Sequence, residues 1–409
     1  MSSAAPVEVQ AAAEDTSIGG VLRARWTALK SGDVGNLPVI IGLIAITIFF
    51  TSKTSIFFTA VNFTNLLGQM AGVTVIAIGV VFVLLIGEID LSIGYVSGLA
   101  GVIVAELVKP GSSWHVSGLV ALALTIGAGA AIGALQGSFV ALIGVPSFVV
   151  TLAGLLIWQG VILQALGTEG VIGIEDKHVL DVSNYVLSKN VGWAVAIIFT
   201  VGYAAAAFGA QVSRRRAGLP TGNIVFTAAR VIFYSGLAFA AVAVCNHSLG
   251  VPLVGLIVLF VVVLGSYVAG RTTFGRHVYA VGGSAEATRR AGVNVKLIKI
   301  LVFMISGAMA ALGGIIFASR LNSVDLTAGG GTILLDSISA AVIGGVSLFG
   351  GRGRVSGALF GGLIIGMIAN GIDLVGYSDA VKYVITGLIL LAAVTLDTVA
   401  RRRQLAAGR

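Results

Sequence analysis

Apolar runs dominate this sequence. They fall near 37–52, 64–86, 91–108, 116–143, 146–166, 191–210, 228–246, 251–270, 297–318, 331–349, 353–376 and 380–398. Only 10% of the residues are charged, against roughly 25% in ordinary globular domains. A soluble domain has too little interior to hide so much apolar chain. A bilayer accepts it, at roughly 20 apolar residues per helical crossing. In lipid every backbone N–H and C=O must be satisfied within the protein, which selects helices when no strand alternation is present. The expectation is an all-α, polytopic membrane helix bundle over 37–398, with about 10–12 transmembrane segments. Some of the runs are candidates for re-entrant rather than spanning segments. Residues 1–36 are polar and small, with Glu8, Glu14 and Asp15 ahead of the first run, and read as a tail without a cleavable signal. Residues 399–409 form a basic end.

The net charge of +8 does not point to nucleic acid, because the charges lie in short segments between apolar runs. Threading the runs with the N-terminus inside puts seventeen Lys and Arg side chains on one face. These include Arg214, Arg215, Arg216, Arg271, Arg276, Arg289 and Arg290. The other face receives five: Lys53, Lys109, Lys177, Lys189 and Arg320. That bias places the first face, and both termini, in the cytoplasm. The longest outer loop, about 168–190, carries Glu169, Glu175, Asp176 and Asp181 and reads as a solvated charged loop, with a docking surface as the alternative. The single cysteine, Cys245, lies in an apolar run and reads as packing.

One inner segment stands out as a coupling loop, 271–298. Within it, Gly282-Gly283-Ser284-Ala285-Glu286-Ala287-Thr288-Arg289-Arg290-Ala291-Gly292 has the pattern of a short capped helix. Ser284 suits the N-cap, Glu286 and Ala287 the first turn, Arg289 and Arg290 the last, and Gly292 the stop. An ordinary basic loop and a docking helix for a soluble partner both fit this pattern.

Ionisable groups in apolar surroundings are the other candidates, since a charge at the bilayer centre costs about 2.5–3.5 kcal/mol on insertion scales. Glu88 and Asp90 interrupt an apolar stretch, and Asp90 can cap the next helix, with Ser92 in its first turn. Capping and work in a transport path or gate are compatible roles. Asp336 sits in or beside a run and needs a partner or water. Asn370 and Asp373, near the last outer turn, can bridge helices or bond a polyhydroxylated solute. Gln136-Gly137 and Asn370-Gly371 each precede a turn and a span. By the threading those two spans run in opposite directions, as in an inverted repeat. Glycine clusters at helical spacing, such as Gly307, Gly313 and Gly314 or Gly357, Gly361, Gly362 and Gly366, point to close helix packing.

No Gly-x-x-x-x-Gly-Lys-[Ser/Thr] occurs, so the chain has no phosphate-binding P-loop. His115, His178, His247 and His277 share no ligand spacing, and no nucleophile–base set is visible, so neither a metal site nor a catalytic residue is expected.

The run YAVGGSAEATRRAGVNVKLIK resembles the cytoplasmic loop of sugar ABC-importer permeases of the ribose, xylose and galactose type. The likeness continues through GEIDLSIG, VPSFVVTLAG, AAVIGGVSLFGGRGRVSGALFGGLIIG, NGIDL and ILLAAVTLDTVARRR, over nearly all of residues 60–403. Extra apolar material between Arg214 and Arg271 makes the chain most similar to the xylose type. Ser284 stands where an asparagine is usual and Arg290 where a leucine is common. A usual glutamate is missing from Leu334-Leu335-Asp336. The resemblance implies a type II ABC-importer-like fold in a bacterial inner membrane and a homodimer with a second permease copy. It also implies docking of a cytoplasmic ABC ATPase that holds ATP and Mg, an extracytoplasmic sugar-binding protein, and inward passage of an unmodified monosaccharide. Gly282, Gly283, Ser284, Glu286, Ala287, Arg289, Arg290 and Gly292 would make the ATPase contact. Glu88, Asp90, Gln136, Asp336, Asn370 and Asp373 are the candidates for the translocation pathway or gate. An ion-coupled secondary transporter is the competing class, prompted by Glu88, Asp90 and Asp336, and an integral scaffold is a third.

Overall fold

A computed structural model describes residues 37–406; the expected tail 1–36 and residues 407–409 lie outside the described residues. Every apolar run has become a helix. In chain order these are α1 (Leu37–Lys53), α2 (Ala60–Leu85), α3 (Ile93–Val108), α4 (Gly118–Ser138), α5 (Ser147–Leu166), α6 (Lys177–Asn184), α7 (Lys189–Arg216) and α8 (Ile224–His247). There follow α9 (Leu253–Arg271), α10 (Thr273–Gly283), α11 (Ala285–Arg290), α12 (Val295–Leu321), α13 (Ile333–Ile343), α14 (Gly357–Val375) and α15 (Asp379–Ala406). The basic C-terminal segment thus begins as a continuation of the last helix. Eight helices among the described residues are long and apolar enough to cross a membrane. Two are not. At 1.5 Å per residue, α3 spans about 24 Å and α13 only about 16 Å, short of the ~30 Å hydrocarbon core.

The chain forms two compact units: Trp193–Val242, and Pro38–Gly192 with Ala243–Arg409. The first is a helical hairpin drawn from α7 and α8. Trp193 stacks on Phe239 at 6.1 Å between ring centroids, and Gln211 Nε2 donates to Thr227 Oγ1 near the hairpin turn.

The larger unit is built around α2 and α12. Most of α2 is buried on all sides, as expected of a helix apolar all round inside a bundle. α12 packs on α2, α3 and α4. The α4–α12 crossing is close because Gly129, Gly133 and Gly137 line one stripe of α4. A Cβ at Gly129 or Gly133 would overlap the carbonyl oxygen of Gly307 or Phe303 on α12. Small residues at four-residue spacing let the backbones meet and maximise dispersion contact where lipid supplies no hydrophobic drive. α4, α5 and α9 leave most of their apolar surface outward, as lipid-facing helices must.

The loop expected to be solvated between 168 and 190 is folded. Strand β1 (Val171–Gly173) pairs antiparallel with β2 (Ser323–Asp325), with Ile172 opposite Val324, and α6 follows. Ile172, Ile174, Val179 and Val182 are buried. Asp176 caps α6 through its carboxylate, and Ser183 N donates to Ser319 Oγ at 2.9 Å. Glu169, Glu175, Lys177 and Lys189 face water while the few apolar residues seal the end of the bundle, a pattern too short to stand out against the charge. β1 and β2 mark one end of the bundle. α11 marks the other, at the far end of the 27-residue α12.

Candidate translocation and coupling sites

The segment 86–92 between α2 and α3 is a buried polar turn. α3 starts at Ile93, with Ser92 at its N-cap position and Asp90 just ahead. Asp90 Oδ1 accepts from Ser92 N at 3.0 Å and Ser92 Oγ at 2.7 Å. Asp90 Oδ2 accepts from Ser306 Oγ on α12 at 2.9 Å. Ser92 Oγ also lies 3.0 Å from Gln136 Oε1 on α4. The N-terminus of α5 holds the same turn. Pro146 takes the N-cap position there, and Ser147 Oγ accepts from Ile89 N at 3.2 Å. Asp90 is 7% exposed and Ser306 fully buried. Asp90 therefore ties the start of α3 to the middle of α12, which is more than a cap. Gln136 Nε2 and the neighbouring Trp158 Nε1 are buried without a partner among the described residues.

Glu88 does not share Asp90's partners. It pairs with Lys299, one turn into α12, and both side chains are largely covered. The pair neutralises two charges that would otherwise sit uncompensated among apolar helices.

The other named groups separate into two places. Asn370 of α14 and Asn62 of α2 exchange reciprocal amide bonds at 2.8 and 2.9 Å, and Asn62 Nδ2 also reaches Phe57 O at 2.9 Å. Both are buried and mutually satisfied, which is helix bridging. Asp336, near the start of α13, instead lines a cavity of about 290 Å³ with Asp373, Gln69, Arg320 and Lys382. Asp336 Oδ1 and Gln69 Oε1 are buried there without a hydrogen-bond partner.

At the opposite end lies the segment 271–298. The expected short helix is α11. Ser284 is its N-cap and accepts from Ala287 N at 3.2 Å, and Gly292, with φ of 85°, follows its last turn. The residues before it also form a helix, α10. Glu286 holds both arginines, Arg289 Nη2 at 2.7 Å and Arg290 Nε at 2.9 Å. The two arginine side chains remain 71% and 79% exposed, so the helix presents them to solvent. Arg290 and Arg289 together hold the Glu286 carboxyl below its ordinary range.

Gly282 and Gly283 do different things. Gly283 has open space beside it, whereas a Cβ on Gly282 would overlap Leu85 O and Gly351 N. Gly351 N donates to Leu85 O at 2.9 Å, and Tyr279 Oη donates to Gly353 O at 2.8 Å. The end of α10, the glycine-rich loop 344–356 and the end of α2 thus meet backbone to backbone. Leu85 lies three residues before Glu88, whose partner Lys299 stands on the same helix, α12, as Ser306, the partner of Asp90. Lys299, Ser306, Ser147, Gln69 and Arg320 were missed as site residues in the sequence. Serines, and lone basic residues at helical positions, carry no signal of which helix they will face.

Among the described residues, no three His, Cys, Asp or Glu side chains are grouped to hold a metal ion. Long apolar helices enclosing buried polar turns define a polytopic membrane permease. The chain belongs to the family described as branched-chain amino acid transport system / permease component, whose model matches residues 62–394. It is 34% identical to the xylose transport system permease protein XylH of Escherichia coli strain K12, over 98% of this chain and all of the relative. The XylH protein of Haemophilus influenzae is also 34% identical, over 89% of this chain and 96% of its own. The ribose import permease protein RbsC of Escherichia coli strain K12 is 32% identical, over 88% of this chain and 92% of its own. No solved structure matches the chain.

Proposed function

We propose that this chain is the membrane-spanning subunit of an ATP-driven importer that moves a monosaccharide, xylose-like in size and hydroxylation, into the cytoplasm. The observation that carries the reading is the likeness to xylose permeases over almost the whole chain. The relatives' names concern xylose and ribose, whereas the family description concerns branched-chain amino acids. The pattern of polar groups favours the sugar. The buried groups along the bundle are amide, hydroxyl and carboxyl side chains able to exchange hydrogen bonds with sugar hydroxyls.

In this reading the permease pairs with a second copy in a bacterial inner membrane, with both termini in the cytoplasm. ATP and Mg belong to a separate ABC ATPase that seats α11 and its arginines. A sugar-binding protein delivers substrate at the β1–β2 end. The backbone contacts at Gly282, Leu85 and Gly351 support a mechanical role for α10 and α11. A displacement of α11 is passed to α12 and to the polar turn around Asp90. Glu88, Asp90, Gln136, Asp336 and Asp373 serve the pathway or its gate, and Asn370 serves as a bridge. The test is uptake of D-xylose and D-ribose by proteoliposomes holding the permease with its ATPase and binding protein. ATP-dependent accumulation is expected. Uptake that follows an imposed ion gradient and ignores ATP would place the chain among secondary transporters instead.

A further inference from the structure

The cavity around Asp336 has properties that a packing defect lacks. It offers about 290 Å³ between α2, α12, α13, α14 and α15, open to the outside near the exposed Asp373, with room for about ten waters and hence for one sugar ring. Asp336 is 5% exposed, and its Oδ1 and the Oε1 of Gln69 face no donor. Stranding two buried acceptors is unfavourable unless something polar fills the space. Arg320 and Lys382 supply donors, while Asp336 and Asp373 balance their charge. None of these four makes an ion pair within 4 Å with another. A wall with two cationic and two anionic groups, all with spare hydrogen-bonding capacity, does not select an ion. It suits a neutral molecule whose hydroxyls both donate and accept.

Next to this cavity, toward the β1–β2 end, lies a second one of about 500 Å³ lined by Ser97, Asp325, Thr327 and Gly330. The two share Phe317, Leu321, Thr332, Ile333 and Lys382 as walls, so they adjoin along one side. Their common floor is the N-terminal turn of α13, the helix too short to cross the membrane.

We infer that each protomer carries its own sugar subsite in this inner chamber, with Asp336 and Gln69 as acceptors, Arg320 and Lys382 as donors, and the outer cavity as its vestibule. The inference rests on the sugar-permease reading and adds a place inside one chain where the substrate pauses.

The test uses the reconstituted complex with Cys245, the lone cysteine, replaced by alanine and with Ala369→Cys placed on the chamber wall. A small membrane-impermeant methanethiosulfonate is applied with increasing D-xylose. Sucrose, too large for the chamber, is the osmotic control. Labelling of Cys at 369 that D-xylose slows and sucrose does not is the expected result. Adding Asp336→Asn, or separately Gln69→Leu, should raise the D-xylose concentration needed for protection by about three- to tenfold, the effect of one hydrogen bond. Labelling that D-xylose leaves unchanged, or no labelling at all, overturns the subsite. If the parent complex still accumulates D-xylose with ATP, the permease reading survives that failure. If the parent complex accumulates no monosaccharide, the broader reading has failed.

Discussion

Ser306→Ala isolates the bond on which the polar turn depends. Ser306 Oγ donates to Asp90 Oδ2 at 2.9 Å, and the serine is fully buried in the middle of α12. A buried acceptor that loses its donor costs about 1–3 kcal/mol. Alanine repays several tenths of a kcal/mol as the better helix former. The expected net loss is about 1–2 kcal/mol. Asp90→Asn should cost less, under about 1 kcal/mol, because the amide oxygen can still accept from Ser92 N and Oγ while its NH₂ donates to Ser306 Oγ. The assay is thermal or denaturant unfolding of the purified permease in nanodiscs, followed by tryptophan fluorescence. A double-mutant cycle between Ser306→Ala and Asp90→Ala should give a coupling of about 1–2 kcal/mol. Additive effects would refute the direct bond and the tie between α3 and α12 built on it. Uptake measured on the same Asp90→Asn protein separates the two roles of this carboxyl. A stable variant that no longer transports assigns Asp90 to the pathway or gate.

Reversing both exposed arginines, Arg289→Glu with Arg290→Glu, should abolish ATP-driven uptake while leaving the permease folded, because neither side chain packs in the bundle. Unchanged uptake in the reconstituted complex would remove α11 from the ATPase contact. Gly133→Val should destabilise by about 1–3 kcal/mol through overpacking against Phe303 O; an unfolding transition equal to that of the parent would refute the close crossing of α4 and α12. Asn370→Ala should lower stability with little effect on the apparent sugar affinity, since Asn370 is satisfied by Asn62; a selective loss of affinity would assign it to the pathway. Glu286 is expected to titrate below its unfolded value of about 4.3. The contribution of its arginine pairs is then present above that value and lost as pH falls through the lower folded one. Carbon NMR of labelled Glu286 showing titration above the ordinary range would contradict this.

Much of the architecture was legible in the sequence. Each apolar run became a helix because a backbone in lipid has few other ways to satisfy its polar groups, so hydropathy and helical structure coincide. The short helix α11 was legible to the residue, because its caps are local: Ser284, Glu286 and Gly292 act within one turn of their own chain. Glu88, Asp90 and Asp336 were legible as anomalies, since charge in an apolar run is rare enough to notice.

Their partners were decided only in three dimensions. Glu88 meets Lys299 and Asp90 meets Ser306 across more than two hundred residues, and an isolated serine or lysine gives no sign of which helix it will face. Asn370 and Asp336, similar candidates on paper, were separated by packing alone, one into a satisfied bridge with Asn62 and the other into a cavity with stranded acceptors. The sequence by itself determined a bundle of apolar membrane helices with one short capped helix between them, because lipid solubility and helix capping are set by local composition. The tertiary structure decided which buried polar groups are paired and which are left without a protein partner, because that depends on distances between helices remote in the chain.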